Sequence, residues 1–292
     1  MQPKLIDQLP TRRAWVDFQI EKPDENGNNA KRIDGLNVRF NISKTRGQVQ
    51  GRARISICNL GRRDLEYLTT YMSPWVELQK RKKIQLFAGY EGNTALLFSG
   101  DILKALPTQP PDVWLECEAL GGYYNNLITE SFTLQGPITL KQIAQTLAKR
   151  QGLLFSCKAD ASVANQQVDN FCHTGGLTNS LKKLNELGLC VAWIEDGTLC
   201  LDAKEPEFKE GANMRVISED SGLVGVPVPG PLGVDVTVLL DPSLKLGEPV
   251  EIRSSLMPSI NGVYWPYSLE HTGELRGNEW YTKLKCQRFQ YA

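Results

Sequence analysis

The sequence predicts an α+β chain that is mainly β. Apolar and polar residues alternate in short runs near both ends, as in "LNVRFNIS" (36–43) and "EWYTKLKCQR" (279–288). A period of two marks a strand with one buried face. Long stretches of helical spacing fall in the middle, in "LKQIAQTLAKR" and "LTNSLKKLNEL". Segments rich in Gly, Pro and Asn separate the runs and have the composition of turns.

The first part opens with "AWVDFQI" (14–20), the polar tip "KPDENGNNAKR", and "LNVRFNIS", in which Leu36, Val38, Phe40 and Ile42 share a face. Two alternating runs around a Gly/Asn-rich tip predict a hairpin. "GRARISICNL" alternates again through Ala53, Ile55 and Ile57. In "RRDLEYLTTYM", Leu65, Leu68 and Met72 recur at helical spacing, which predicts a short helix ended by Pro74. "KIQLFAGY", "ALLFSGDIL" and "DVWLECEA" add three strands. Several short antiparallel strands with one helix imply a small barrel or sandwich.

In the middle, Leu140, Ile143 and Leu147 form one helical stripe, with Thr139 as N-cap and Gly152 just past the end. Leu181, Leu184 and Leu187 form a second, stopped by Gly188. Two short strands then pair across "EDGT" (195–198), a hairpin turn signal. Beyond a charged link and a Gly/Pro loop, "VDVTVLL", "EPVEIRSS", "GVYWPYSLEH" and "EWYTKLKCQR" return to strands, with Pro266 demanding an edge or a bulge. The meander "IQLFAGY…LLFSGDI…VWLECEA" resembles "VEIRSS…GVYWPYSLEH…WYTKLKCQ" in plan, which suggests a duplicated unit.

With 292 residues, 41% apolar and 23% charged, the composition is that of an ordinary globular protein with two or three domains. Basic and acidic residues both number 33, so the whole chain is no evident nucleic-acid or anionic-membrane binder. The charge is uneven, however. Between Gly35 and Arg63 there is no acid but there are seven bases, Arg39, Lys44, Arg46, Arg52, Arg54, Arg62 and Arg63, while acids gather between Glu186 and Glu210. Opposed poles suit assembly of pole against pole; solvated strand faces are the plainer alternative. The start lacks the apolar core of roughly 7–15 residues of a secretory signal. No run approaches the roughly 18 apolar residues of a membrane helix, so no stable membrane insertion is expected. Seven cysteines without a CxxC read as reduced thiols, several of them in apolar runs, in a chain that folds in a cytoplasm.

Catalytic chemistry finds little to work with. His173 adjoins Cys172, but partners in a catalytic pair usually meet through the fold, and a loop position before a helix is the expectation. His271 sits between Glu270 and Glu274 in "EHTGE", yet one histidine supplies too few ligands for zinc. The segment reads better as a hairpin turn, with Gly273 and Gly277 at positive-φ positions. Glu116 and Glu118 share a strand face that is expected to be solvated. Asp101, after Gly100, reads as a turn former. No phosphate loop, dinucleotide fingerprint or GxSxG is present, and no cofactor or metal is called for.

Taken in order, "VQGRARISICNL", "IQLFAGY…LLFSGDI", "VWLECEALGG", "LTNSLKKLNELGLCVAWIEDGTLCL", "LLDPSLKLGEPVEI" and "NGVYWPYSLEHTGELRGNEW" resemble the baseplate hub proteins of phage tails, chiefly contractile ones, with relatives in phage-like injection machines. The resemblance covers most of the chain after about residue 12. It implies two tube-like antiparallel β-barrel domains, residues 1–119 and 209–292, flanking a small α+β domain, 120–208. It also implies a homotrimer that joins a sixfold tail tube to a threefold spike, lines a channel for transient DNA passage, and meets tape-measure and baseplate wedge proteins. Its place would be the virion tail baseplate, after assembly in the host cytoplasm. A trimer meets a near-sixfold ring only if each chain supplies two equivalent units.

Two other classes stay open at this level. One is a cell-wall-degrading tail enzyme using His271 with Glu270 or Glu274, or Asp101 with Glu116. The other is a carbohydrate- or protein-binding β module that presents Trp75, Trp265 or Trp280 as stacking surfaces. On the hub reading, Arg39, Arg52, Arg54, Arg62 and Arg63 are expected at an inter-subunit or channel-facing surface.

Overall fold

The computed structural model describes residues 10–19, 30–47, 50–71, 82–187, 190–205 and 214–288. Met72, Pro74, Trp75 and Gly188 lie outside them. The chain is α+β and mainly β, as its alternation implies. Its first part forms β1 (Arg12–Gln19), β2 (Ala30–Ile33), β3 (Val38–Thr45), β4 (Arg52–Cys58), α1 (Arg62–Leu68), β5 (Thr70–Tyr71), β6 (Lys83–Tyr90), β7 (Asn93–Pro107) and β8 (Trp114–Leu120). The middle holds α2 (Tyr123–Leu127), β9 (Glu130–Thr139), α3 (Leu140–Arg150), β10 (Leu154–Cys157), α4 (Ala161–Ala164), β11 (Gln167–Gly175), α5 (Leu177–Glu186), β12 (Cys190–Glu195) and β13 (Thr198–Ala203). The last part adds β14 (Arg215–Ser218), β15 (Leu223–Pro229), β16 (Gly233–Leu239), β17 (Val250–Arg253), β18 (Gly262–Glu274) and β19 (Trp280–Arg288).

The two end regions share one sheet. Its strands run β15-β16-β19-β18-β3-β4-β8-β7-β6-β1-β2, with β17 beside the start of β18, β14 beside β17, and β5 beside β7. Within it a connection pattern occurs twice. The antiparallel order β3-β4-β8-β7-β6 recurs as β15-β16-β19-β18-β17, again antiparallel throughout. The likeness of the two meanders therefore extends to a preceding hairpin in each half. The repeat ends at the next strand: β1 lies antiparallel to β6, whereas β14 lies parallel to β17.

Strand β18 joins the halves. Its first residues, Gly262–Tyr264, pair with β17, and its last, Ser268–Glu274, pair with β3. The changeover falls at Pro266, where the register against β19 also shifts by a bulge. Proline has no N–H for a ladder, so the switch of neighbour is placed where a hydrogen bond is already missing.

The hairpin expected between residues 14–20 and 36–43 is not formed. β1 turns back onto the short β2, and β3 crosses to β4 and β18. Alternation fixes which face of a strand is buried and leaves its neighbours undetermined. The faces themselves are as expected: Val38, Phe40 and Ile42 are buried with Ile55, Ile57, Leu86 and Leu115 in the first core. α1 ends at Leu68, short of the expected span.

The middle module has its own core, built from Leu140, Ile143 and Leu147 of α3 and Leu177, Leu181 and Leu184 of α5 against β12 and β13. Thr139 caps α3 in a reciprocal capping box with Gln142, and Gly152 follows at φ 63°. Asp196 (φ 50°) and Gly197 (φ 84°) make the tight turn between β12 and β13. A ribbon of β9 and β11 was not expected. His173 therefore lies on a strand, not in a loop. A third core, with Val236, Ile252, Leu269 and Leu284, also takes in Trp193 and Cys200 from the middle module.

Candidate assembly interface

Parity along the strands decides what the candidate residues do. Glu270 and Glu274 point to the outward face of β18, while His271 between them points inward and is 2% exposed. Neighbours on a strand face opposite ways, so the histidine and its flanking carboxylates cannot act together. Burial, with the charge of Lys44 adding to it, holds the His271 imidazole down at about 3, hence neutral. The segment is also strand, not turn: the bend comes after Glu274, and neither Gly273 nor Gly277 has a positive φ. Gly273 is there for room, since a Cβ would lie 2.4 Å from the Phe40 ring and 2.8 Å from the Trp280 ring.

The remaining catalytic candidates fare similarly. Asp101 is buried in the middle of β7, where its carboxylate accepts the Tyr124 N–H at 3.1 Å; it forms no turn. Glu116 lies on the outward face of β8, away from it. His173 Nε2 is 2.7 Å from Ser180 Oγ, but both side chains are buried and the same nitrogen faces the Gly175 carbonyl at 3.0 Å. Cys172 is exposed on the opposite side of β11. Burial pushes the Cys117 and Cys200 thiols up to about 12, far from reactive thiolates. Among the described residues no group of three or more His, Cys, Asp or Glu is placed to hold a metal ion, and no helix is long and apolar enough to cross a membrane. Trp265 and Trp280 are buried, the second against Phe40 at 5.4 Å, so neither is a stacking surface.

What the sheet does present is a broad polar face. Read across the strands, one row runs Lys283, Glu270, Ser43, Arg52, and the next Tyr281, Thr272, Asn41, Arg54, Glu118, Lys104. Acidic positions on β18 and β8 flank basic ones on β3 and β4. Arg39 meets Glu274 at 3.2 Å and lies over the Trp114 ring at 4.7 Å; Arg52 and Arg54 share Glu118 at 3.4 and 3.7 Å. Hydrogen bonding to Arg39 holds the Glu274 carboxyl below its ordinary value. Of the five arginines expected at a surface, Arg39, Arg52 and Arg54 share this face. Arg62, paired with Glu66 at 2.9 Å, and Arg63 are exposed on α1 instead.

The other two bases of that stretch turn inward and were missed as a functional pair. Lys44 meets Asp196 at 2.5 Å, and Arg46 meets Asp202 at 3.1 Å while lying over Trp265 at 4.7 Å. Part of the acidic pole thus faces the basic pole within one chain. With Lys158, which donates to the Leu246 carbonyl at 2.8 Å, these contacts fix the middle module to the sheet. Lys44 gave a signal: it continues the inward parity of Val38, Phe40 and Ile42.

The chain belongs to the baseplate hub gp41 family, whose model matches residues 16–286. Comparison with curated protein sequences gives no significant match. Among solved structures, the 43 kDa tail protein of prophage MuSo2 from Shewanella oneidensis is similar over 95% of this chain and 98% of its own, at 9% identity and a TM-score of 0.61. The tail protein from Neisseria meningitidis MC58 is similar over 95% and 96%, at 12% identity and a TM-score of 0.60. The c3393 protein of E. coli, described as a type VI secretion component similar in structure to the T4 tail proteins gp27 and gp5, is similar over 87% and 74%, at 10% identity and a TM-score of 0.55. At such identities the likeness is one of fold.

Proposed function

We propose that this baseplate hub protein is a homotrimer that joins a sixfold tail tube to a threefold spike and lines the channel through which DNA passes. The observation that carries the reading is the twofold recurrence of one strand order within the sheet. Three chains with two such units offer six similar edges to a tube and three identical ones to a spike. The units are placed at residues 1–119 and 209–292, with the α+β module 120–208 between them. Tail tube, spike, tape-measure and wedge proteins are its partners in the virion, after assembly in the host cytoplasm.

In this arrangement the face bearing Arg39, Arg52 and Arg54 turns toward the channel, because it runs unbroken across both units. Its paired charges suit passage: arginines already matched by Glu118 and Glu274 displace few counterions from DNA and hold it weakly. The role is structural, without catalysis. Cryo-electron microscopy of the assembled protein, with the spike present, tests the reading. A threefold ring of six β units with these arginines toward its axis agrees with it. A ring in which Arg39, Arg52 and Arg54 all face bulk solvent sinks the channel assignment.

A further inference from the structure

We propose that the open edge of β15 is where a second copy of this chain docks, against the β5–β7 edge of that copy. The inference rests on the hub reading and adds its contact surface. Within one chain the halves meet where β18 pairs with β3. In the repeated strand order β18 stands where β7 does, and β3 stands where β15 does. The same seam made between copies therefore sets β15 of one against the β7 side of the next. Among the described residues, β15 hydrogen-bonds only to β16, and β5, two residues long, only to Ala105 and Lys104 of β7.

The side chains agree. On β3 the outward positions are polar, and Arg39 and Asn41 find Glu274 and Glu270 within the chain. On β15 the outward positions are Val224, Val226 and Val228, exposed by 36, 50 and 60%, with Leu232 beyond them at 53%. Leu106, half-buried on β7, faces outward too, opposite Glu116. The sheet's outward face is thus polar on β3, whose neighbour is in the same chain, and apolar on β15, while β7 offers Leu106 beside the exposed Lys104. An apolar edge invites another chain unless a partner covers it. Pro227 and Pro229 lack N–H donors, and β5 already holds the backbone of Lys104 and Ala105. The contact is therefore one of side-chain packing with little ladder. Its two surfaces differ, so the contact is heterologous, and copies joined by it close into a ring when the rotation allows.

Two measurements test this. The Val226→Glu, Val228→Glu variant is expected to fold with an unchanged denaturation midpoint and to associate at least about tenfold more weakly, since it buries charges in a packed contact. Benzoylphenylalanine at position 226, in a mixture of isotopically light and heavy chains, is expected to cross-link to peptides carrying residues 103–107 of the other copy. A charged variant that trimerises like the parent, or cross-links confined to other segments, overturns the docking site alone. A parent chain that stays monomeric at every concentration with the spike present overturns the trimeric reading with it.

Discussion

The Arg46 guanidinium lies 3.1 Å from the Asp202 carboxylate, joining the end of β3 to β13 of the middle module, with both side chains only 4% exposed. The approach is one of charge more than of hydrogen bonding. The guanidinium N–H groups go to the Ala203 and Lys204 carbonyls, and Asp202 Oδ2 receives no hydrogen bond among the described residues. Burial pushes the Arg46 guanidinium below its ordinary value, with Asp202 opposing.

Replacement of one partner leaves the other charge buried and unmatched. Arg46→Ala is expected to cost about 3–5 kcal/mol in urea denaturation. Arg46→Met combined with Asp202→Leu should cost far less than the sum of the single changes. Equal, additive losses would show that the two residues act independently.

His271 Nδ1 lies 2.9 Å from Thr282 Oγ1, which also accepts the Asp241 N–H at 3.3 Å. Folding lowers the imidazole from its ordinary 6.5 to about 3, so the unfolded chain binds the extra proton between those values. This contribution to stability is complete above about pH 6.5 and is lost as pH falls toward 3, by up to about 1.4 kcal/mol per pH unit. His271→Gln should flatten the stability profile between pH 6 and 4, measured by denaturant midpoints at each pH. Parallel profiles for the two proteins would remove His271 as the cause.

Gly273 has room for hydrogen alone between Phe40 and Trp280. Gly273→Ala is expected to destabilise by about 1–3 kcal/mol and to alter the near-ultraviolet dichroism of Trp280. At Gly277 the nearest atoms belong to the flexible Glu274 side chain, and the same change should be milder.

The paired charges of the outward face predict a gain on their removal. Glu118→Gln with Glu274→Gln should bind duplex DNA more tightly than the parent, with a steeper fall in affinity as salt rises. Stability should change by less than about 1 kcal/mol per lost pair. Unaltered DNA retention on heparin-like and DNA columns would argue against a channel-facing position.

Strand faces, both long middle helices and the Asp196–Gly197 turn were legible because each rests on local rules of period and capping. The ribbon of β9 and β11 was hidden by its own irregularity. Asn170 at φ 58° is bulged opposite Gly136, so the inward residues run Val168, Phe171, His173, and the period of two is broken. The glycines of the β18–β19 hairpin misled because sequence shows that a glycine is present and not whether it gives a turn or a space. The crossing of β3 to β18 is a long-range choice that no local pattern encodes. Among the bases, only Lys44 betrayed its inward role, by falling on the apolar parity of its strand.

The mass of the purified protein by light scattering, combined with image averaging of the same sample, tests the central claim most directly. Three copies in a ring with six β units are the expected result. A stable monomer or dimer that persists with the spike present, or a ring of six chains, would contradict it.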